Sequence, residues 1–349
     1  MAFYTEVAGW VFAYIFKAIG GSILSTDPAA NSQAFEALVT SPFQALLWQW
    51  IVLAWVGFII VMGVSKGIEG ATKRLMPVLF LLLVITCIRS LTLPGAMEGV
   101  IFLFKPDFAK LTGPIVLSAL GLAFFKLSTG MGTMITYGSY FRDDQNIPAT
   151  AVRVMLADLL VSILAGLAIF PAVFAFGFQP DAGPSLLFQT IPAVFASMPL
   201  GNIFVVIFFV LTAIAATGAM LSLMEVPVSF LSERTGLSRR NATLLTVVVL
   251  ALVGSTAALS SSVLADVKVF GKTFFDLFDY VSSNILLPIG GLLICLFTAW
   301  VFGRERIQEV LSNNGRLSNQ VIISAFNFVV RYVAPILVVL VLLNGIGVF

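Results

Sequence analysis

The sequence predicts an all-α polytopic membrane protein, and two observations carry that prediction. Hydrophobic residues make up 59% of the 349 residues and charged residues only 10%, with a mean hydropathy of +1.05. Several apolar stretches are also long enough to cross a bilayer as helices. Soluble domains have neither property.

Nine apolar stretches are long enough to span the hydrocarbon layer. In chain order they are residues 3–24, 43–64, 75–91, 115–140, 149–177, 202–232, 242–259, 275–302 and 325–348. Two shorter apolar pieces, residues 96–104 and 185–197, are too short to span and are expected to form surface helices. We therefore treat residues 1–349 as one transmembrane domain of about nine spans.

Positive side chains concentrate on one side of this predicted domain. The richer set, in or beside alternate connections, is Lys66, Lys73, Arg74, Arg142, Arg153, Arg234, Arg239, Arg240, Arg304, Arg306 and Arg316. The opposite connections hold Lys105, Lys110, Lys268 and Lys272. Because the richer side normally faces the cytoplasm, we expect an inner-membrane protein with a cytoplasmic N-terminus and an outer C-terminus.

Composition also excludes several classes of function. The net charge of +2 indicates no nucleic-acid partner. The chain contains no histidine, so histidine-based proton relays, most zinc sites and Ser-His-Asp hydrolases are excluded. No phosphate-binding loop or catalytic triad can be assembled from the residues present. We therefore expect neither an enzyme nor a resident cofactor.

The fourth predicted span is polar where a span should be most apolar. Residues 123–132 read AFFKLSTGMG and hold a lysine, two hydroxyls and two glycines. Lipid offers no partner to a freed backbone group, so such residues are tolerated only where they line a cavity or pack on protein. An interrupted helix of this kind is typical of a transporter's binding site. The alternative is a glycine pair that lets neighbouring helices approach closely.

A second charge lies in the following span. Asp158 and Ser162 are four residues apart and share one face of a helix. An ionised side chain at this depth needs a partner in the bundle interior, and Lys126 is the candidate. The alternative is a purely structural buried pair, which contributes little net stability.

Polar residues near the ends of spans suggest gates. Thr133, Tyr137 and Tyr140 follow at helical spacing, which is consistent with a polar inner gate. An aromatic belt at the lipid interface explains Tyr140 nearly as well. Asp279 starts one predicted span and Glu233 ends another, and such acids are usually just solvated.

The segments FFKLSTGMG (residues 124–132) and ITYGSY (residues 135–140) together resemble the broken sixth helix of the neurotransmitter:sodium symporter family. Further segments match in the same order: Tyr4 with AGW (8–10), TLPGA (92–96), KPDF (105–108), residues 187–195, EVPV (225–228), GLSRR (236–240) and Arg331-Tyr332. The resemblance implies an amino-acid or amine symporter of the leucine-transporter fold. In that fold two inverted five-helix repeats rock around a midplane site.

The resemblance also implies roles for single residues. Tyr4 resembles the tyrosine whose hydroxyl holds the substrate carboxylate, and Leu223 would line the same pocket. The residues implied for the sixth-helix wall are Phe125, Ser128, Gly130 and Met131. Asp279 resembles the outer-gate aspartate, whereas Glu233 and Tyr140 resemble the inner-gate acid and tyrosine.

The ion sites of the family are altered in this sequence. By the resemblance, Lys126 takes the position of a hydroxyl residue of the family's first sodium site, and Asp158 takes the position of an asparagine of that site. An ammonium and a carboxylate at these positions could replace the sodium ion electrostatically. Ser162 keeps the chloride-site serine, but Leu122 and Lys126 replace other expected polar groups, which argues against chloride dependence. The positions that match the second sodium site are Ala215, Gly218 and Ala219. We expect no intact sodium site, although sodium remains a possible coupling ion.

The resemblance implies that the chain starts within the family's third helix and that its spans correspond to helices three to eleven. On this reading the bundle is N-terminally incomplete, and a separately encoded N-terminal segment is a possible partner. Two functions follow. The first is a secondary active symporter of a small amino acid or amine with altered sodium coupling. The alternative is a truncated or decayed product, or the partner of a split transporter, that does not transport alone.

Overall fold

The computed structural model is helical almost throughout, as the sequence predicts. It describes residues 1–142, 145–178, 183 and 186–348. Within these ranges the only β-structure is an isolated bridge between Val269 and Lys272. The all-α class is therefore confirmed.

Thirteen helices organise the described residues. They are α1 (Ala2–Ile19), α2 (Pro28–Val39), α3 (Pro42–Val61), α4 (Val64–Leu91), α5 (Ala96–Phe104), α6 (Gly113–Lys126), α7 (Thr133–Gly138), α8 (Ile147–Ala175), α9 (Leu186–Ala196), α10 (Gly201–Thr235), α11 (Arg239–Ala258), α12 (Phe274–Leu311) and α13 (Gln320–Gly345). A short 3₁₀ turn at Phe108–Lys110 lies between α5 and α6.

Seven of these helices are long and apolar enough to cross a membrane, namely α3, α4, α8, α10, α11, α12 and α13. The other two predicted spans correspond to α1, which has 18 residues, and to the interrupted pair α6 and α7. The total of nine spans stays a prediction. Of the two expected surface helices, the first forms as α5. The second forms as α9, but the expectation that it lies at the surface is wrong, because residues 191–195 are buried in the core of unit 1. Ser185, the first residue expected in the second, lies outside the described residues.

Local sequence signals set several helix ends. Ser41 and Ser238 precede α3 and α11, and their hydroxyls accept hydrogen bonds from the backbone N–H groups of Gln44 and Asn241. Gly236 ends α10 at φ +69°, a left-handed conformation that glycine adopts at little cost. These caps satisfy groups that the helix ends would otherwise leave unpaired.

The chain divides into two compact units. Unit 1 comprises Met1–Pro106 and Val161–Phe278, and unit 2 comprises Asp107–Leu160 and Asp279–Phe349. In unit 1, α1 packs against α3, α10 and α11. In unit 2, α6 packs against α12 and α13.

The core of unit 1 contains a large aromatic cluster. Tyr14 is fully buried, its ring lies 4.9 Å from that of Phe188, and its hydroxyl donates to the Phe188 carbonyl at 3.2 Å. Trp10, Phe35 and Phe209 surround these two rings. The cluster thereby ties α9 to α1 and α10.

An ion pair joins three helices of unit 1. The guanidinium of Arg239 on α11 binds both carboxylate oxygens of Glu225 on α10, at 2.9 and 2.5 Å. Arg239 Nε also donates to the carbonyl of Ile60, at the end of α3, at 2.8 Å. Because Glu225 is fully buried, this bidentate contact supplies the counter-charge that a buried carboxylate needs.

Candidate functional site

The predicted helix interruption is present between α6 and α7 of unit 2. Six residues, 127–132, separate the end of α6 from the start of α7. Ser128, Gly130 and Gly132 have φ angles of 53°, 83° and 79°. Glycine reaches this left-handed region freely, whereas a serine there is strained. The two glycines therefore allow the chain to leave the helix and re-enter it.

The interruption leaves several peptide groups without a hydrogen-bond partner in the part of the chain that the structure describes. The Ser128 N–H donates to the Phe125 carbonyl at 3.1 Å, and the N–H and hydroxyl of Thr129 both donate to the Phe124 carbonyl at 3.0 Å. Beyond them, the N–H groups of residues 130–132 find no hydrogen-bond partner among the described residues. The carbonyls of residues 128–131 likewise accept no hydrogen bond within the described ranges. Donors and acceptors for a polar ligand thus lie side by side.

Helix α12 packs directly against the interruption. A Cβ atom added at Gly130 would lie 2.5 Å from the Leu287 carbonyl oxygen and 2.9 Å from the Gly291 nitrogen. An added Cβ at Gly290 would in turn clash with the Gly130 carbonyl. Gly130 therefore allows α12 to approach closely, as expected if the glycines serve helix packing, and it also interrupts the helix.

The last residue of α6 forms an ion pair with α8. Lys126 Nζ lies 3.1 Å from Asp158 Oδ2, and the two side chains are 40% and 32% exposed. Ser162 lies one turn further along α8. An ammonium and a carboxylate thus lie together at the N-terminal edge of the interruption.

The substrate-binding candidates divide between the two units. Phe125, Ser128, Gly130 and Met131 belong to unit 2, whereas Tyr4 and Leu223 belong to unit 1. Tyr4 is half-buried on α1. Leu223 lies four residues before Pro227 on α10, and a proline cannot donate the helical hydrogen bond to the Leu223 carbonyl.

The positions matched to the second sodium site lie on α10 in unit 1. Ala215, Gly218 and Ala219 offer no side-chain oxygen. The neighbouring hydroxyl of Thr217 is buried and donates to the Ala213 carbonyl at 2.8 Å. Side-chain oxygens for a cation are therefore scarce on this stretch of α10.

The gate candidates differ in setting. Asp279 lies within α12 and accepts a hydrogen bond from the Ser283 hydroxyl at 2.9 Å, while Glu233 is exposed in the last turn of α10. The expectation that Thr133, Tyr137 and Tyr140 follow one another at helical spacing is wrong for Tyr140, because α7 ends at Gly138. Its ring nevertheless lies 6.4 Å from that of Tyr137. The gating roles stay predictions.

Sequence reasoning missed a buried polar cluster in unit 1. Gln49 is fully buried, and its Nε2 donates to the Thr5 hydroxyl at 2.9 Å, which donates to the Ala2 carbonyl at 2.9 Å. Glu6 is 1% exposed, and its Oε2 has no hydrogen-bond partner in the described part of the chain. A glutamate two residues after Tyr4 was the available signal.

Comparison with known proteins decides the family. A model described as the sodium:neurotransmitter symporter family matches residues 41–349. The chain belongs to this family. The resemblance drawn from the sequence motifs is thereby confirmed, and with it a multi-pass membrane transporter rather than an enzyme.

Two bacterial relatives match nearly the whole chain, and a mammalian relative matches about two thirds of it. An uncharacterised sodium-dependent transporter of Bacillus subtilis is 40% identical over 348 residues, 100% of this chain and 77% of that protein. One from Haemophilus influenzae is 35% identical over 352 residues, 99% of this chain and 76% of that protein. A rabbit sodium- and chloride-dependent creatine transporter is 27% identical over 248 residues, 66% of this chain and 37% of that one.

The solved structure of MhsT has the same fold. The crystal structure of MhsT in complex with L-phenylalanine superposes with a TM-score of 0.88 at 39% identity, covering 99% of this chain and 78% of that one. The leucine-transporter fold expected from the sequence is therefore confirmed. Sodium is the coupling ion of the family.

Proposed function

We propose that this symporter transports a small amino acid or amine by alternating access around the interruption between α6 and α7. The observation that carries the proposal is that the N–H groups of residues 130–132 and the carbonyls of residues 128–131 have no hydrogen-bond partner among the described residues. A zwitterion satisfies such a run, because its carboxylate accepts from N–H groups and its ammonium donates to carbonyls. The L-phenylalanine bound in MhsT supports an amino-acid substrate.

The residue types at the positions that the family resemblance assigns to substrate binding suggest the substrate's side chain. Phe125, Met131 and Leu223 are apolar and favour an apolar side chain. We assign the carboxylate contact to the hydroxyl of Tyr4, which supplies a hydrogen bond without a charge. The side chain of Ser128 and the backbone of Gly130 complete the proposed contacts.

We further propose that the Lys126–Asp158 pair takes over part of the electrostatic role of a bound sodium ion. The ammonium lies 3.1 Å from the carboxylate, so the charge of Asp158 is balanced without a mobile cation. The matched positions Ala215, Gly218 and Ala219 add no side-chain oxygen. Sodium coupling is therefore weaker than in symporters with a neutral pair at positions 126 and 158, and chloride is not required.

Uptake into proteoliposomes tests the proposal. The chain, reconstituted alone, is expected to accumulate at least one radiolabelled amino acid or amine from a broad panel when a sodium gradient is imposed, and parallel measurements without that gradient show how much of the uptake depends on sodium. Gly130→Ala is expected to abolish uptake, since the added Cβ meets the Leu287 carbonyl. Gly138→Ala is the matched control, because an added Cβ there meets no atom within 4 Å.

Failure of every panel member would contradict transport by this chain alone. Uptake that appears only with a separately expressed N-terminal segment of the family would favour the alternative, a split transporter. Unchanged uptake by the Gly130→Ala variant would show that transport does not depend on the interruption.

A further inference from the structure

Unit 2 carries an arginine within a membrane span. Arg331 lies on α13 eleven residues after Gln320, which is about 16 Å along a helix that rises 1.5 Å per residue. The residue is exposed, and no carboxylate among the described residues forms an ion pair with it. A guanidinium on the exposed side of a span is costly unless an anion or water reaches it.

The guanidinium of Arg331 stacks on an exposed indole. Its Cζ atom lies 4.0 Å from the ring centre of Trp300 on α12, and Trp300 is 58% exposed. Trp300 precedes Gly303 by three residues, and at Gly303 (φ +81°) the chain turns into the polar segment Gly303–Leu311. The arginine therefore reaches from within the span toward its end, as a snorkelling side chain does.

Both residues lie in local π-helical segments. Trp300 belongs to Phe297–Phe302 and Arg331 to Val329–Val333, and these two segments contact each other. π-Helical turns are rare and occur frequently at functional sites. The apolar side chains beside the pair, Phe297, Val301 and Phe328, are all exposed. They present a surface suited to acyl chains.

The stacked guanidinium has the chemistry of a phosphate receptor. Stacking covers one face of the group and leaves its N–H donors free in the plane, where they match two oxygens of a phosphate. The bilayer supplies that phosphate at the depth where a snorkelling arginine ends.

We propose that Arg331 and Trp300 form a binding site for the phosphate of an anionic phospholipid. The phosphate oxygens accept hydrogen bonds from the guanidinium N–H donors, and the acyl chains lie against the exposed apolar residues of α12 and α13. The site is independent of the substrate proposal, since lipid binding is measured without transport.

Native mass spectrometry of the purified full chain tests the site. Phosphatidylglycerol is titrated in parallel with phosphatidylcholine carrying the same acyl chains, and tighter binding of phosphatidylglycerol is expected. Arg331→Gln is expected to weaken phosphatidylglycerol binding about fivefold or more. Arg331→Lys keeps the positive charge but lacks the paired N–H donors of the guanidinium, so an intermediate loss of phosphatidylglycerol affinity is expected. Trp300→Leu removes the stacking ring and is also expected to weaken binding.

Arg89→Gln is the matched control. Arg89 in unit 1 also lies near an aromatic ring, with Cζ 5.9 Å from the ring centre of Phe204, but it already donates to the Thr92 hydroxyl at 3.4 Å. Its substitution is expected to leave phosphatidylglycerol binding unchanged. Wild-type affinity in Arg331→Gln, or equal affinity for the two lipids, would overturn the proposal. The proposal would also be overturned if Arg331→Gln changed only the ratio of monomer to dimer and not lipid binding, because that result would indicate a contact between two copies of the chain.

Discussion

Lys126 Nζ lies 3.1 Å from Asp158 Oδ2 and thereby joins the end of α6 to α8 within unit 2. The ion pair places a fixed positive charge directly beside the helix interruption. In the family to which the chain belongs, transport depends on sodium. Because of this pair, ion coupling in this symporter is expected to differ from that in symporters with a neutral pair at positions 126 and 158.

The double substitution Lys126→Thr with Asp158→Asn is expected to raise the sodium dependence of uptake. It exchanges the fixed charge for neutral oxygen groups, which leave room for a mobile cation. Initial uptake rates measured over a range of sodium concentrations check this. The exposed pair Lys73–Glu69, 2.7 Å apart, provides the control, since its neutralisation should leave the sodium response unchanged. An identical sodium response in the Lys126/Asp158 variant would count against the assigned role.

Tyr4→Phe is expected to weaken substrate binding by about 1–2 kcal/mol, because one hydrogen bond to a charged carboxylate is lost. That loss corresponds to a roughly 5- to 30-fold higher Kd, which a radioligand binding assay resolves. Tyr332→Phe, at an exposed residue of α13, should leave the affinity unchanged. Equal affinity in Tyr4→Phe would rule out the carboxylate contact.

Arg239→Met is expected to lower the stability of the protein by about 3–5 kcal/mol, because it leaves the fully buried Glu225 carboxylate without its counter-charge. Replacing both residues by methionine should recover much of that loss, since no buried charge then remains. Thermal unfolding in detergent measures both effects. A single variant as stable as the wild type would show that Glu225 does not need this partner.

Much of the fold could be predicted from the sequence, since span length and hydrophobicity alone indicate a polytopic helical protein. The interruption at residues 128–132 was also predictable, because glycines and hydroxyls at mid-span weaken a helix whatever its neighbours are. The start of α4 at Val64 was not, because it follows a turn at Gly63 (φ +92°) within polar sequence.

The parts of the site that sequence reasoning missed depend on packing between helices. Glu225 and Arg239 were recognised only as members of motifs, and their pairing arises because the turn at Gly236 brings α11 back along α10. The stacking of Arg331 on Trp300 similarly depends on how α12 and α13 lie together. The burial of Glu6 reflects the helices packed around α1, which an isolated sequence does not specify.

Hydrogen–deuterium exchange at the amides of residues 130–132 tests the central claim most directly. Without ligand, these N–H groups have no hydrogen-bond partner within the described ranges and are expected to exchange rapidly. With a saturating concentration of the amino acid that the uptake assay identifies, they are expected to become protected, while the amides of the capped segment Arg239–Ala258 stay unchanged. Equal exchange at residues 130–132 with and without that amino acid would contradict the account.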